Sequence, residues 1–438
     1  MPDNAAPDND PVVAAAEFVL TTGDEATGAK SRGGPFASLR IPAYRWWFSS
    51  QLVSASGSMT QAVGVSWLVL QLTGRGIDLA ILSAATMLPV LIGGAWGGSL
   101  ADRFDRRRLL IVTQSIFVTL AVTLTVLSAA GAARVWNLLI ISAITGTVMA
   151  ADIPARQVYV VDLVGADRLG SAVGLFEIIL NASRIVGPAL GGLLLLVSGP
   201  TACFAVNAVS FVAPLWVLLR YRGERGHGGG RPKESQRGKT REGARYVWSH
   251  PQLRSLVVLA AASGVLFNAT VLFPLLAVRA LGLGGGGFGA LLAFFGLGAL
   301  PGALIAARAT GEPSGRLVRA LALATGISMC TTAYAGSAVM AFATMAVTGF
   351  LSIWFIAAAN TLAQLRSSPE MRGRVMGLWS MALPGTSPIT GSVAALIADH
   401  FGARVGFATA GAMIALAALT GWRALSGRAR DPAATEAT

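Results

Sequence analysis

Apolar runs long enough to cross a membrane recur along the whole chain, and they restrict the possible folds more than any other feature. The runs cover residues 46–71, 78–101, 109–131, 135–155, 170–197, 200–220, 254–280, 285–308, 317–337, 338–364, 373–398 and 403–425. As a helix, each would cross roughly 30 Å of hydrocarbon at about 1.5 Å per residue. They are too long and too uniformly apolar for barrel strands, the other structure that satisfies its backbone in lipid. The sequence therefore predicts an all-α membrane protein of about twelve transmembrane helices.

The amino-acid composition agrees with a membrane protein. A soluble globular protein carries about 25% charged residues, whereas this chain of 438 residues carries 13% and has a mean hydropathy of +0.62. Its 52 glycines would let membrane helices approach closely. The two cysteines, Cys203 and Cys330, lie far apart in apolar runs and are interpreted as small core residues rather than as a disulfide or metal site.

The distribution of Lys and Arg predicts the orientation in an inner (plasma) membrane. With both termini in the cytoplasm, the outer loops contain only Arg75, Arg134, Arg279 and Arg404. The inner face then carries most of the basic residues, including the whole segment 220–254. This asymmetry explains the net charge of +13 without a nucleic-acid partner.

The chain divides into two similar parts. We expect a cytoplasmic tail over 1–42, a six-helix bundle over 43–221, a flexible basic linker over 222–252, a second bundle over 253–425 and a cytoplasmic tail over 426–438. The tail over 1–42 lacks the pattern of a signal peptide. A weak internal repeat supports the division, because the sequence RLGSAVGL at 168–175 resembles RGRVMGL at 372–378. Two pseudo-symmetric six-helix halves are the layout of a large class of transporters.

The loop after the second run carries the most specific motif of the chain, G-S-L-A-D-R-F-D-R-R-R at 98–108. It resembles the signature loop of the major facilitator superfamily, G-x-L-A-D-R-x-G-R-R/K, with Asp105 in place of the usual Gly. The resemblance implies that Gly98, Asp102, Arg103 and Arg106 belong to a latch that holds one conformation of a transport cycle. The chemistry permits this role, since a carboxylate such as that of Asp102 can accept hydrogen bonds from a helix N-terminus. The alternative is that the Arg cluster serves topology alone.

Further stretches resemble the enterobactin-exporter-like group of this superfamily. They are WLVLQLTG at 67–74, DIPARQ at 152–157, NASRIVGPALGG at 181–192, RGRVM at 372–376 and the region around residue 388, so the resemblance covers residues 40–425. The stretch at Gly187 and Pro188 is similar to the fifth-helix motif of drug–proton antiporters. The resemblance implies a monomeric, proton-coupled exporter of a small amphipathic substrate, such as a drug, a siderophore or another natural product, by alternating access. An importer or a lysolipid flippase of the same fold is the alternative. Phe176 and Glu177 depart from the small polar pair that is expected at these positions in the enterobactin-exporter-like group.

Charged residues inside a membrane helix usually face a partner or a cavity, because burying a charge there is costly. In the fifth run Glu177, Asn181, Arg184 and Pro188 are spaced to lie on one helix face. Glu177 is a candidate for proton coupling or substrate binding, and the alternative is a structural ion pair. Arg184 is a candidate anchor for an anionic substrate group or a residue that holds helices together.

Asp152 and Arg156 bracket Pro154 near the end of the fourth run, where they form either a local pair or part of an inner gate. Several amides inside runs are candidates for cavity lining, with interhelical hydrogen bonds as the alternative. They are Gln51, Gln61, Asn268, Asn360 and Gln364. Trp46, Trp47 and Trp248 are expected to be anchors at the membrane surface.

Other functional classes find little support in the sequence. The histidines His227, His250 and His400 all lie outside the spans, and no nucleophile or metal motif appears, which argues against an enzyme. No cofactor is expected, and no phosphate-binding G-x-x-x-x-G-K-[ST] motif is present. Transport would therefore draw on an ion gradient or on the substrate gradient.

Overall fold

The computed structural model describes residues 36–221, 236–309 and 311–426, and within these ranges the regular structure is helical. The α-helices are α1 (Pro42–Thr73), α2 (Gly76–Arg103), α3 (Arg106–Ala129), α4 (Val135–Val164), α5 (Leu169–Val197), α6 (Pro200–Arg220), α7 (Gln236–Ser249), α8 (Pro251–Ser263), α9 (Ala269–Leu275), α10 (Gly285–Arg308), α11 (Gly315–Ala333), α12 (Ala338–Leu365), α13 (Pro369–Gly385), α14 (Ser387–Phe401), α15 (Ala403–Thr420) and α16 (Trp422–Ser426). Short 3₁₀ turns cover Ala37–Arg40, Ala166–Arg168 and Gly264–Asn268, and Leu276–Ala280 is a π-helix. Residues 1–35 of the predicted tail over 1–42, residues 427–438 of the predicted tail over 426–438 and the linker segment 222–235 lie outside the described residues.

All twelve predicted spans fall on helices. Among the described residues, eight helices are long and apolar enough to cross a membrane, and Pro251–Leu266 with Val271–Ala280 make a ninth if they form one broken span. The eight are α2 (over Gly76–Gly93), α3, α4, α5, α6, α10, α12 and α15. The other predicted spans correspond to α1 and α11, which are rich in hydroxyl and amide side chains, and to the broken pair α13–α14.

Helix ends follow the local sequence. Ser314 and Ser337 precede α11 and α12, and their hydroxyl oxygens accept hydrogen bonds from the backbone N–H of Leu317 (3.1 Å) and Met340 (3.2 Å). A side-chain oxygen at this position satisfies an N–H that the helix itself leaves unpaired. Gly74 ends α1 in the left-handed conformation (φ 66°), which a residue with a side chain adopts only at a cost.

The first compact unit contains the described residues up to 221 together with Ala269–Gly296. In it α1 packs against α5 and α6, α2 against α4, and α3 against α6. The crossing of α2 and α4 depends on Gly146, since a Cβ there would overlap the backbone carbonyl of Thr86. An apolar cluster that includes Tyr44, Trp47 and Tyr159 fills the space among α1, α3, α4, α5 and α6.

The second compact unit contains residues 236–268 and those from Leu297 onward. In it α11 packs between α12 and α15. Gly326 of α11 and Gly411 of α15 lie where α11 and α15 cross. Helix α7 packs on α13 and α8, with Val247 buried against Leu253 and Val375. The division into two six-helix halves stays a prediction.

The structure corrects several details of the sequence predictions. The spans predicted as single helices over 254–280 and 373–398 are interrupted, the first by the turn Gly264–Asn268 and the second after Gly385. The second half of the segment expected to be a flexible linker forms α7, because its apolar residues pack on α13. Trp47 is 2% exposed and packs edge-on against Tyr159, so it belongs to the core rather than to the membrane surface. Trp248, by contrast, is 61% exposed.

Candidate functional site

The signature loop begins α3 with a side-chain cap. The Asp105 Oδ1 atom accepts a hydrogen bond of 2.8 Å from the backbone N–H of Arg108. A glycine, usual at this position of the motif, has no side chain to make this bond. The departure from the motif at Asp105 therefore has a structural role that the sequence pattern alone did not indicate.

The N-terminal end of α3 is also bonded to two other helices of the same unit. Arg106 Nη1 lies 3.0 Å and 3.2 Å from the two carboxylate oxygens of Asp162 on α4. Arg107 Nε donates to the backbone carbonyl of Leu218 at the end of α6, at 2.7 Å. Asp162 was not among the predicted site residues, although an acid near the end of an otherwise apolar helix indicates a possible ion-pair partner.

The structure gives fewer contacts for the other residues predicted to belong to this loop. Arg103 is exposed in the last turn of α2. Gly98 and Asp102 also lie in α2, but the surroundings of Gly98 and the side chain of Asp102 are outside what the structure describes. The latch that was predicted for these residues therefore stays a prediction.

A cluster of polar side chains is buried among α1, α3 and α4, and we call it the buried polar cluster. Its members are Gln51, Thr113, Gln114, Asp152 and Arg156. Asp152 Oδ1 accepts hydrogen bonds from Thr113 Oγ1 at 2.7 Å and from Gln114 Nε2 at 3.0 Å. Its Oδ2 atom forms an ion pair with Arg156 Nη2, one helical turn away.

Arg156 connects this ion pair to the first helix. Its Nη1 atom donates to Gln51 Oε1 on α1. The predicted local pair of Asp152 and Arg156 is thus present, and the structure adds Gln51, one of the predicted cavity liners, as the third member of a chain of contacts. Thr113 and Gln114 were not predicted, because nothing in the spacing of α3 shows which face meets α4.

Three polar atoms of this cluster are buried without a hydrogen-bond partner in the described part of the chain. They are Gln51 Nε2, Gln114 Oε1 and Arg156 Nε, and the Tyr159 hydroxyl in the neighbouring apolar cluster is a fourth such atom. Buried polar groups are usually paired, so each exception needs an explanation. Binding of another molecule is one such explanation.

The arrangement has a clear chemical capability. A carboxylate and a guanidinium buried in membrane helices stabilise each other, and removal of one leaves the other unpaired at a large cost. The two side chains therefore act as a unit, and through Gln51 that unit connects α4 to α1.

The motif at Gly187 and Pro188 forms a close helix crossing. The Thr60 hydroxyl of α1 donates to the Gly187 carbonyl at 2.9 Å, and a Cβ on Gly187 would overlap Met59. One turn further along α5, a Cβ on Gly192 would lie 2.5 Å from the Cα of Gly289 in α10, within the same unit. This part of the motif requires glycine for packing.

The polar face predicted for α5 is described only in part. Arg184 is exposed on this helix. The side chains of Glu177 and Asn181 lie outside those that the structure describes, and so does that of Asn268 in the turn before α9. The roles predicted for these residues stay predictions.

Two further amide candidates make hydrogen bonds within the protein. Gln61 Oε1 accepts from Asn207 Nδ2 on α6 at 2.8 Å, and the Asn207 side chain in turn accepts from Ser210. Gln364 Nε2 donates to Asn360 Oδ1 one turn earlier in α12, at 2.6 Å. The first bond joins two helices and the second lies within one helix.

The second unit has an ion pair of its own near the start of α11. Glu312 Oε1 lies 2.6 Å from Arg366 Nε, which follows the last residue of α12. On the neighbouring α13, Arg374 Nη1 lies 2.6 Å from Glu242 of α7. In residues 36–221, 236–309 and 311–426, no group of three or more His, Cys, Asp and Glu side chains is placed to hold a metal ion.

Comparison with solved structures shows a known fold for these long apolar helices. A bacterial homologue of the human lysosomal transporter Spinster, in an inward-facing and occupied conformation, aligns with a TM-score of 0.67. The two proteins share 15% identity over 90% of this chain and 97% of the other, so this likeness shows the fold alone.

Residues 33–434 match the profile of the transmembrane secretion effector family, and the chain belongs to this family of transporters. The multidrug efflux pump Tap of Mycobacterium tuberculosis is 27% identical over 394 residues, which cover 84% of this chain and 90% of that protein. The staphyloferrin A transporter of Staphylococcus aureus is 29% identical over 176 residues, which cover 40% of this chain and 44% of that protein. The protein is therefore a transporter and not an enzyme.

Proposed function

We propose that the protein is a monomeric, proton-coupled exporter of small amphipathic molecules in the plasma membrane and that it works by alternating access. The observation that carries the proposal is the ion pair of Asp152 and Arg156, buried in membrane-spanning helices of a chain whose relatives include the efflux pump Tap. An acid in such a place is a candidate proton carrier, because ionisable residues inside membrane helices are costly and often belong to proton relays.

The contacts of Asp152 suggest how a proton would be coupled to movement. Thr113 and Gln114 hold the carboxyl group to α3, while Arg156 connects it to Gln51 on α1. Protonation would weaken only the contact with Arg156, since hydroxyl and amide donors can still bond to a carboxylic acid. The connection from α4 to α1 would then loosen while α3 and α4 stay joined. Glu177 is the second candidate for this role.

The relatives indicate only the chemical class of the transported substrate. Tap is named as a multidrug pump and a second relative as a transporter of the siderophore staphyloferrin A, so drug-like compounds and siderophores are the substrates to test first. Import, or movement of a lysolipid, is the alternative for the same fold. Both termini are proposed to lie in the cytoplasm, with the latch of Gly98, Asp102, Arg103 and Arg106 on the inner face.

Efflux from cells tests this proposal. Cells that express the wild type, Asp152→Asn or Glu177→Gln are loaded with a panel of dyes, antibiotics and siderophores, with and without a protonophore. Asp78→Asn in the first turn of α2 is the matched control, because it removes an equivalent charge outside the buried polar cluster. Protein levels are measured for every variant.

The proposal expects the wild type and Asp78→Asn to lower accumulation of at least one compound and the protonophore to abolish this effect. If Asp152 carries the proton, Asp152→Asn should show no gradient-dependent export. If Glu177 carries it, Glu177→Gln should show none. Export that is insensitive to the protonophore would contradict proton coupling. Increased accumulation in expressing cells would point to import instead.

A further inference from the structure

Exposed side chains on both sides of the junction between α7 and α8 form a basic surface. Its members are Arg245 and Trp248 of α7 and Arg254 in the first turn of α8. We propose that this basic surface binds the headgroups of anionic phospholipids. The inference goes beyond the proposed function, because it concerns the lipid around the protein and not the exported molecule.

The first argument is that α7 is buried along one side only. Gly243 and Val247 are buried, and a Cβ on Gly243 would lie 2.9 Å from the Cβ of Arg374 in α13. Arg245 is exposed, and Trp248 is 61% exposed. At about 100° of rotation per residue, Arg245 lies roughly opposite the midpoint of the two buried positions, with Trp248 about 60° away from it. The docking of α7 on α13 therefore leaves the basic surface uncovered.

The second argument is charge. The segment 236–254 contains a single acid, Glu242, and its basic residues are Arg237, Lys239, Arg241, Arg245 and Arg254. The Glu242 carboxylate lies 2.6 Å from Arg374 Nη1, so a base on another helix already balances this acid. Arg245 and Arg254 form no ion pair in residues 36–221, 236–309 and 311–426. The positive charge of the basic surface is thus available to an anionic partner.

The third argument is position, which favours lipid over a soluble anion. Helix α8 begins at Pro251 and opens the broken membrane span made by Pro251–Leu266 and Val271–Ala280. Arg254 and Trp248 therefore flank the start of a membrane-spanning segment. Trp is enriched where such segments meet the membrane surface, and basic amphipathic helices attract anionic lipids. A soluble acidic partner would pair with the arginines but would leave the exposed Trp248 unexplained.

The fourth argument is that the surface is formed before lipid binds. The Tyr246 hydroxyl accepts a hydrogen bond of 3.2 Å from the backbone N–H of Ser368, just before α13. Val247 is packed with Leu253 and Val375. These contacts fix the orientation of α7, so lipid binding costs less ordering entropy than it would for a flexible basic linker.

Binding of labelled lipids tests the inference. Phosphatidylglycerol is anionic and phosphatidylcholine is zwitterionic, and each carries the same fluorophore on its acyl chain. Their affinity for the purified full-length protein in detergent is measured by fluorescence polarisation. We expect the wild type to bind phosphatidylglycerol roughly twentyfold more tightly than phosphatidylcholine, because each arginine near an anionic surface contributes about fivefold.

Double substitutions connect the preference to the basic surface. Arg245→Gln combined with Arg254→Gln should reduce the preference by roughly tenfold or more. Arg75→Gln combined with Arg134→Gln is the matched control, because it removes the same charge from two exposed arginines outside the basic surface. The control should keep the preference. Both variants should keep the wild-type melting temperature, since all four side chains are exposed.

Hydrogen exchange in nanodiscs locates the bound lipid on the wild-type protein. Backbone amides of α7 should exchange more slowly in nanodiscs that contain phosphatidylglycerol than in nanodiscs of phosphatidylcholine alone, while peptides over 130–134 between α3 and α4 should not change. Equal affinity of the wild type for the two lipids would overturn the inference, and so would a preference that survives in the Arg245→Gln and Arg254→Gln variant. Equal exchange of α7 in both nanodiscs would also overturn it, because the anionic lipid would then bind elsewhere.

Discussion

Arg106 at the start of α3 and Asp162 near the end of α4 form an ion pair with 3.0 Å between Nη1 and Oδ1, and the second unit contains the corresponding pair with its charges exchanged. There Glu312 precedes α11 and Arg366 follows α12. Helices α11 and α12 are the third and fourth spans counted from the linker, as α3 and α4 are from the N-terminus. An acid and a base at these two helix ends thus occur in both units, in opposite order.

This relationship predicts that Arg106 and Asp162 stabilise the first unit as a pair. Asp162→Asn and Arg106→Gln should each lower the free energy of unfolding, while the double variant should lose less than the sum, with a coupling of about 1–3 kcal/mol for a partly buried pair. Thermal unfolding of the purified protein in detergent measures this double-mutant cycle. Strictly additive effects would show that the two side chains do not stabilise each other.

Asp105 should act through its side-chain oxygen and not through its charge. Asp105→Asn should leave thermal stability nearly unchanged, Asp105→Gly should cost a few tenths of a kcal/mol and Asp105→Ala should cost about 1 kcal/mol, because alanine cannot cap the helix. Unfolding in detergent orders the three variants. A result in which Asn is as destabilising as Ala would indicate that the charge matters instead.

The glycines of α5 should differ sharply in their tolerance of alanine. Gly187→Ala places a methyl group into Met59 of α1 and should reduce both folded protein and transport. Gly174→Ala, in the same helix, meets no atom within 4 Å and should be neutral or slightly stabilising. The yield of monodisperse protein and the melting temperature of the two variants are compared. Equal tolerance at both positions would contradict the close crossing of α1 and α5.

Gln61 should contribute to helix packing rather than to substrate binding. Gln61→Leu removes the hydrogen bond to Asn207 and should cost about 0.6 kcal/mol, and at most about 2 kcal/mol, as interhelical hydrogen bonds in membranes do. We expect the export profile to keep its substrate range. A changed order of preferred substrates with unchanged stability would instead support the cavity role predicted from the sequence.

The fold could be predicted well from the sequence because the lipid bilayer permits few kinds of structure. Uniform apolar runs with basic residues between them permit little except membrane helices, and all twelve predicted runs are helical. The exact breaks were less predictable. The first interruption begins at Gly264 and the second follows Pro384 and Gly385, but glycine and proline are also frequent within continuous membrane helices.

The candidate site was predictable only where it is local in sequence. Asp152 and Arg156 are four residues apart in one helix, so their pairing follows from helix geometry. Their contacts with Gln51 and Thr113 depend on how α1 and α3 pack against α4, and uniformly apolar helices do not show from sequence which face meets which neighbour. For the same reason, Asp162 could not be predicted as the partner of Arg106 from the sequence.

Proton coupling at Asp152 is the central claim, and proton movement in proteoliposomes tests it most directly. Purified protein is reconstituted with a pH-sensitive dye trapped inside, and an exported compound from the efflux panel is added outside without any other gradient. The account predicts a substrate-dependent pH change in vesicles with the wild type and with Asp78→Asn, and none with Asp152→Asn. Substrate uptake without any pH change in the wild type, or an undiminished pH change in Asp152→Asn, would contradict it.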